Sequence, residues 1–279
     1  MSSAPPSRAT EEPRRAPIPG HCLNCDRPVT DNFCAHCGQE NSDYRVSLKR
    51  LMGDLFDELF QLEARVWRSL MHLFRHPGRL TADYNDGRRV RYTSPLRLYL
   101  MASVTYFFVA ALMPPTASDV KIDFGDGEQT IKELGAPKSG VDRFVRDRLG
   151  LHDGMQLRDV QRHTNDVLLA NAPKVMAVLV PLCALLTLAL FRRPRRYFVE
   201  HLVLALHLHA VAFWLLLVAL LTRWEHASMV ALLLAGVWML LALRALFLQP
   251  WWLTIFKGGF VATIYLTFVA IGILVALMI

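Results

Sequence analysis

The chain lacks the signatures of the common catalytic frameworks. It has no Gly-x-x-x-x-Gly-Lys-Ser/Thr loop to cradle phosphates, no Gly-x-Gly-x-x-Gly fingerprint and no Gly-x-Ser-x-Gly elbow. No paired catalytic carboxylate stands out. P-loop nucleotide hydrolysis, dinucleotide-dependent redox chemistry and elbow-type serine hydrolysis therefore have no support, and the sequence favours a non-enzymatic protein. Cysteine is scarce, with five in 279 residues. The first twenty residues hold five prolines and no apolar core. That composition predicts a disordered leader over 1–20, no signal peptide and an N-terminus in a reducing cytoplasm. In such a compartment clustered thiols favour a metal over disulfides.

Four of the five cysteines sit together, as Cys22-Leu-Asn-Cys25, eight residues, then Cys34-Ala-His-Cys37. Each Cys-x-x-Cys hook supplies two thiolates from one tight turn, and two hooks this close suit one tetrahedral zinc ion. Four thiolates leave no open position, so the site is expected to be structural. Reduced free thiols, a redox pair and an iron–sulfur centre are the alternatives. His21 and His36 lie nearby with no vacancy to fill. The zinc module covers 21–40, and Asp26 to Phe33 is expected to fold back as a small hairpin.

The chain is 53% hydrophobic with a mean hydropathy of +0.27. The apolar residues gather in long runs in the second half, which makes a bilayer the expected solvent. The predicted fold is mainly α: a small cytoplasmic zinc ribbon, an amphipathic helix, and a polytopic bundle of about five transmembrane helices. The amphipathic helix runs from Ser47 to His76 within a cytoplasmic, interfacial region 47–93. Its apolar residues recur at three and four, its opposite side is charged, and Pro77-Gly78 ends it. It is expected to lie on the membrane surface or pack on the membrane helices. An ordinary core helix of a soluble subdomain is the plainer alternative. The membrane domain is 94–279, with spans at about 95–113, 173–191, 197–221, 227–248 and 256–279. Ser94-Pro95 opens the first span, and Pro181 is expected to kink the second. A connection of about 114–172 is the one sizeable outside segment, with a short amphipathic helix, Gln156 to Asn171, at its end.

Net charge is +7, and the basic residues crowd at the ends of apolar runs. That fits a membrane surface and not nucleic acid. Arg88, Arg89, Arg91 and Arg97 precede or open the first span, Arg192 to Arg196 links the second and third, and Arg244 and Lys257 flank the fourth link. All fall on one side if the N-terminus is cytoplasmic, which puts the C-terminus outside.

Ionisable groups within membrane helices are functional candidates by default. Here they are Glu200, His201, His207 and His209 at the start of the third span. At about 100° per residue, His207 and His209 point about 200° apart, and Glu200 and His207 sit about 10 Å apart along the axis. No pair has the i, i+4 spacing of a histidine chelate. The preferred reading puts Glu200 and His201 at the headgroups and hydrogen-bonds His207 and His209 between helices. A proton, ion or metal site is the alternative. Arg88, Arg89, Arg91 and Arg97 are read as a topology signal, with anionic headgroup binding as the functional alternative. Cys183 is read as a small apolar residue in the second span, and Gly258-Gly259 as allowing close helix contact or a soft helix start.

Several segments together resemble an uncharacterised bacterial membrane-protein family, a domain of unknown function with an N-terminal zinc ribbon. They are the hooks Cys-Leu-Asn-Cys (22–25) and Phe-Cys-Ala-His-Cys-Gly-Gln (33–39), Leu-Phe-Arg-His-Pro-Gly (73–78) and Ala-Asp-Tyr-Asn-Asp-Gly-Arg-Arg-Val-Arg-Tyr (82–92). Ser-Pro (94–95), Leu-Tyr-Leu (98–100) and Val-Glu-His-Leu-Val-Leu-Ala-Leu-His-Leu-His (199–209) continue the pattern. Asp26 departs from it, since glycine more often follows the first hook. The resemblance implies a bacterial inner-membrane protein and supplies no reaction. Three functions stay open. The leading one is a cytoplasmic protein-docking or regulatory ribbon on a membrane protein that contacts lipid and has one protein partner class still to be identified. A small-solute or proton transporter, which five spans would support best as a homo-oligomer, and a membrane enzyme acting on lipid are the others.

Overall fold

The computed structural model describes residues 20–41, 64–113, 157–191 and 197–278. The Pro-rich leader, residues 47–63 of the predicted amphipathic helix, most of the long connection and Arg192 to Arg196 lie outside the described residues.

The ribbon is two matched turns. Strand β1 (Gly20–His21) pairs antiparallel with β2 (Pro28–Val29), with Gly20 opposite Val29 and His21 opposite Pro28. A single bridge, Phe33 with Glu40, encloses the second turn. The strand pairing thus flanks each hook, where a hairpin between the hooks was the expectation. The reason is local: the Cys22 N–H donates to the Arg27 carbonyl at 2.7 Å, and the Cys34 N–H to the Gln39 carbonyl at 2.8 Å. Each hook closes on itself before the connecting residues can pair.

Seven helices follow among the described residues. Helix α1 (Ala64–Arg75) buries Val66, Ser69 and Leu73 on one face. It stops where Pro77 and Gly78 follow, as proline disfavours helical geometry in the residue before it. Helix α2 (Arg79–Asn85) is a short element without a separate signal in the periodicity. Helix α3 (Pro95–Leu112) begins with proline at its first position, where the missing N–H is harmless.

Helix α4 (Leu157–Leu190) differs from expectation. The short helix ahead of the second span and the span itself are one continuous helix, with Pro173 and Pro181 inside it. A membrane helix tolerates internal proline because packed neighbours and side chains satisfy the freed backbone groups. Close to Pro173, the Asn171 side-chain amide donates to the carbonyls of Val167, on the same helix, and Ala276, near the end of the chain. Helices α5 (Phe198–Thr222), α6 (Ala227–Phe247) and α7 (Trp251–Met278) complete the chain. Helix α7 starts five residues earlier than the predicted span, because Pro250 opens it and its carbonyl accepts the Thr254 N–H at 3.0 Å. Trp251 and Trp252 therefore lie in its first turn.

Five of the helices are long and apolar enough to cross a membrane: Pro95–Leu112, Ala170–Leu190, Phe198–Thr222, Ala227–Phe247 and Trp251–Ala276. Helix α5 is the central one, packed by α2, α3, α4 and α6. Helices α4 and α7 run antiparallel: Lys257 Nζ donates to the Leu190 carbonyl near one end, and Asn171 reaches Ala276 near the other.

The α1–α2 hairpin enters this bundle. Asn85 Nδ2 donates to the Glu200 carbonyl at 3.3 Å, and Thr81 Oγ1 lies 2.8 Å from His207 Nδ1. Those two positions of α5 are about 10 Å apart along its axis. On the other side, Trp238 Nε1 of α6 donates to the Leu73 carbonyl at 2.9 Å. Gly78 lies directly against the Ala242 backbone: a Cβ there would sit 2.8 Å from the Ala242 oxygen. Helix α2 is a wedge between α5 and α6, held by buried Leu80, Thr81, Tyr84 and Asn85.

Candidate functional site

The four cysteines converge. Cys22 Sγ lies 3.5 Å from Cys37 Sγ, Cys25 Sγ lies 3.6 Å from Cys34 Sγ, and all four sulfurs fall within 4.8 Å of one another. A disulfide would need about 2.0 Å. A tetrahedron with metal–sulfur bonds of about 2.3 Å has sulfur–sulfur edges of about 3.8 Å. The cluster fits a metal ion of that kind.

Its electrostatics point the same way. The backbone N–H groups of Cys37 and His36 hold the Cys34 thiol down to about 6. The Arg27 N–H favours the Cys25 thiolate, but desolvation and the three neighbouring thiols outweigh it and push Cys25 up to about 12. Burial pushes Cys22 up. Four thiols in one small volume cannot all ionise unaided, and a cation removes that conflict.

The hooks are built alike. The Asp26 N–H donates to the Cys22 carbonyl and the Gly38 N–H to the Cys34 carbonyl, each at 2.8 Å. Both residues turn left-handed, with φ of 60° and 72°. Asp26 holds the position where glycine fits without strain, and aspartate is among the few side chains that tolerate it. The side chains of His21 and His36 are exposed and lie outside the cluster.

The Gln39 side chain fastens the ribbon to the loop that follows α2. Gln39 Nε2 donates to the Gly87 carbonyl at 3.0 Å, and Gln39 Oε1 accepts the Arg89 N–H at 3.4 Å. This amide clasp holds the loop between α2 and α3, which carries the arginines. Arg88 reaches Asp83 at 3.2 Å, Arg89 covers the Tyr84 ring at 5.4 Å, and Arg91 is exposed. Arg97 is buried in the first turn of α3, so it does not share their surface.

The polar string of α5 is distributed along the bundle. Glu200 caps its own helix, its carboxylate accepting the Tyr197 N–H at 3.1 Å. His201 is buried, 3.1 Å from Thr187 Oγ1 and stacked on Phe247. His207 is fully buried against Thr81. His209 donates from Nδ1 to the Ala205 carbonyl at 2.7 Å and accepts the Tyr265 hydroxyl at Nε2 at 2.6 Å. That pair of bonds sets its tautomer. These groups join α5 to α2, α4 and α7 at separate points. Among the described residues, the cysteines are the one group positioned to share a metal.

Sequence reasoning did not find Thr81, Gln39 or Gly78 as contact residues. Gln39 and Gly78 lay in quoted motifs, yet an amide or a glycine has no signature that names a partner 48 or more positions away.

A family model described as a protein of unknown function (DUF3667) matches residues 63–107. That stretch holds α1, α2, the arginine loop and most of α3, and excludes the ribbon. No curated protein and no solved structure matches the chain.

Proposed function

We propose that the chain is a multi-pass protein of a bacterial cytoplasmic membrane whose structural zinc ribbon is a regulatory and docking module on the cytoplasmic side. The single observation that carries this reading is the Gln39 clasp. It connects a closed four-thiolate site to the loop that follows the α2 wedge. A change at the ribbon, by zinc loss or by a protein that binds it, therefore has a direct route to an element packed among the spans. Zinc suits the four-sulfur donor set and closed geometry, whereas oxygen-preferring ions such as magnesium and calcium do not. The orientation is supported by Arg88, Arg89, Arg91, Arg244 and Lys257, which belong to the ribbon's end of the bundle. Each buried histidine of α5 makes a hydrogen bond through Nδ1 between or within helices.

The test is purification in gentle detergent from native membranes, comparing wild type, Cys34→Ser/Cys37→Ser and Gln39→Ala, with metal quantified and associated proteins identified. About one zinc per chain and a protein lost from both variants would support the reading. Zinc present with the same associated proteins in all three would defeat it.

A further inference from the structure

Helix α1 has three faces. Val66, Ser69 and Leu73 face the bundle, where Ser69 Oγ accepts the Thr93 N–H at 2.9 Å. About 130° around the helix, Trp67, Met71 and Phe74 form a stripe at i, i+4 and i+7. They are 64%, 53% and 36% exposed. About a quarter turn further lie Arg68 and Arg75, both exposed. The helix Ala64–Arg75 contains three arginines and no acidic residue.

We propose that this outer side of α1 is a binding face for anionic phospholipid of the same bilayer, with the Trp67–Met71–Phe74 stripe among the acyl chains and Arg68 and Arg75 on the phosphates. Two observations choose lipid as the occupant. The first is charge complementarity, since a purely basic helix flank meets an anionic headgroup layer. The second is continuity. The hairpin that carries α1 is fastened to α5 and α6, so its exposed stripe belongs to an element held directly against two of the long apolar helices. A tryptophan with arginines at its side is the usual anchor at a membrane interface. The proposal needs the five apolar helices to sit in a bilayer; it does not need the ribbon's role to be right.

The experiment uses the full chain in vesicles at physiological salt. Acyl-brominated phosphatidylcholine or acyl-brominated phosphatidylglycerol is added at equal mole fraction, and Trp67 emission is taken as wild type minus Trp67→Phe. Bromine quenching reports acyl contact, and the ratio of the two quenchers reports headgroup preference. Each surface arginine favours anionic lipid by about five-fold. The expected result is strong quenching, more effective with the anionic lipid, whose preference falls toward unity in Arg68→Gln/Arg75→Gln and returns in Arg68→Lys/Arg75→Lys. If Trp67→Phe does not assemble, Met71→Trp supplies the reporter on the same stripe, read as Met71→Trp minus wild type. Absence of quenching would mean that protein, a partner or a second copy, covers the stripe, and would overturn the proposal. Equal quenching by both lipids, unchanged in the arginine variants, would overturn it too.

Discussion

Gly78→Ala is the sharpest perturbation of the wedge. Gly78 has φ of +80°, and a Cβ there would meet the Ala242 oxygen at 2.8 Å and its Cα at 2.9 Å. The left-handed backbone costs an L side chain about 1–2 kcal/mol. Forcing a methyl into a packed contact costs about 1–3 kcal/mol more. The obstructing atoms are backbone, so no rotamer change relieves them. The loss should total about 2–5 kcal/mol, or a fall of roughly 4–20 °C in the melting temperature of a chain this size. The assay is thermal unfolding in one detergent, followed by size-exclusion fluorescence. Gly236→Ala on α6 is the control: a Cβ there meets nothing within 4 Å. It should be neutral or raise stability by up to about 1 kcal/mol. Ala242→Gly should not rescue Gly78→Ala, because the clash is with the main chain of residue 242. A Gly78→Ala protein that melts with the wild type would refute the wedge.

Other outcomes follow from the same contacts. Thr81→Val leaves His207 buried without its partner and should destabilise by about 1–3 kcal/mol, measured in the same melt. Asp26→Gly removes left-handed strain from the first hook. It should tighten zinc retention against a chelator by less than about ten-fold, the strain relief being partly offset by glycine's freedom in the unfolded chain. His72 packs at a tilt against Tyr92, and burial, then the nearby His76, lowers its pKa. A lowered histidine binds its proton more readily when unfolded, so stability holds above the ordinary value of about 6.5 and falls as pH drops below it. Melting temperature against pH should show that fall, and His72→Gln should lessen it.

Legibility in the sequence followed the range of the interactions. Five apolar runs announce five helices long and apolar enough to cross a membrane, because length and hydropathy are local properties. Cysteine spacing announces the four-sulfur cluster for the same reason. Boundaries fared less well where proline has two meanings. Pro95 and Pro250 open helices, whereas Pro173 lies inside one. The amphipathic pattern around Leu70 to Phe74 shows that α1 packs on something, yet nothing in it names Trp238, 165 positions from Leu73. Thr81 finds His207 across 126 positions. Asp26 stood out as a departure from glycine, and its φ of 60° gives that departure its physical content.

The central claim is that the ribbon holds the loop following the α2 wedge. Hydrogen exchange on the full chain in lipid nanodiscs tests it directly, comparing wild type, Gln39→Ala and chelator-treated protein. Exchange at Arg89, whose N–H rests on Gln39 Oε1, should rise about five-fold or more on loss of that bond. The rise should extend to neighbouring amides of the 87–91 loop and into α2 when the metal is removed. Unchanged protection of the loop with the ribbon emptied would contradict the account.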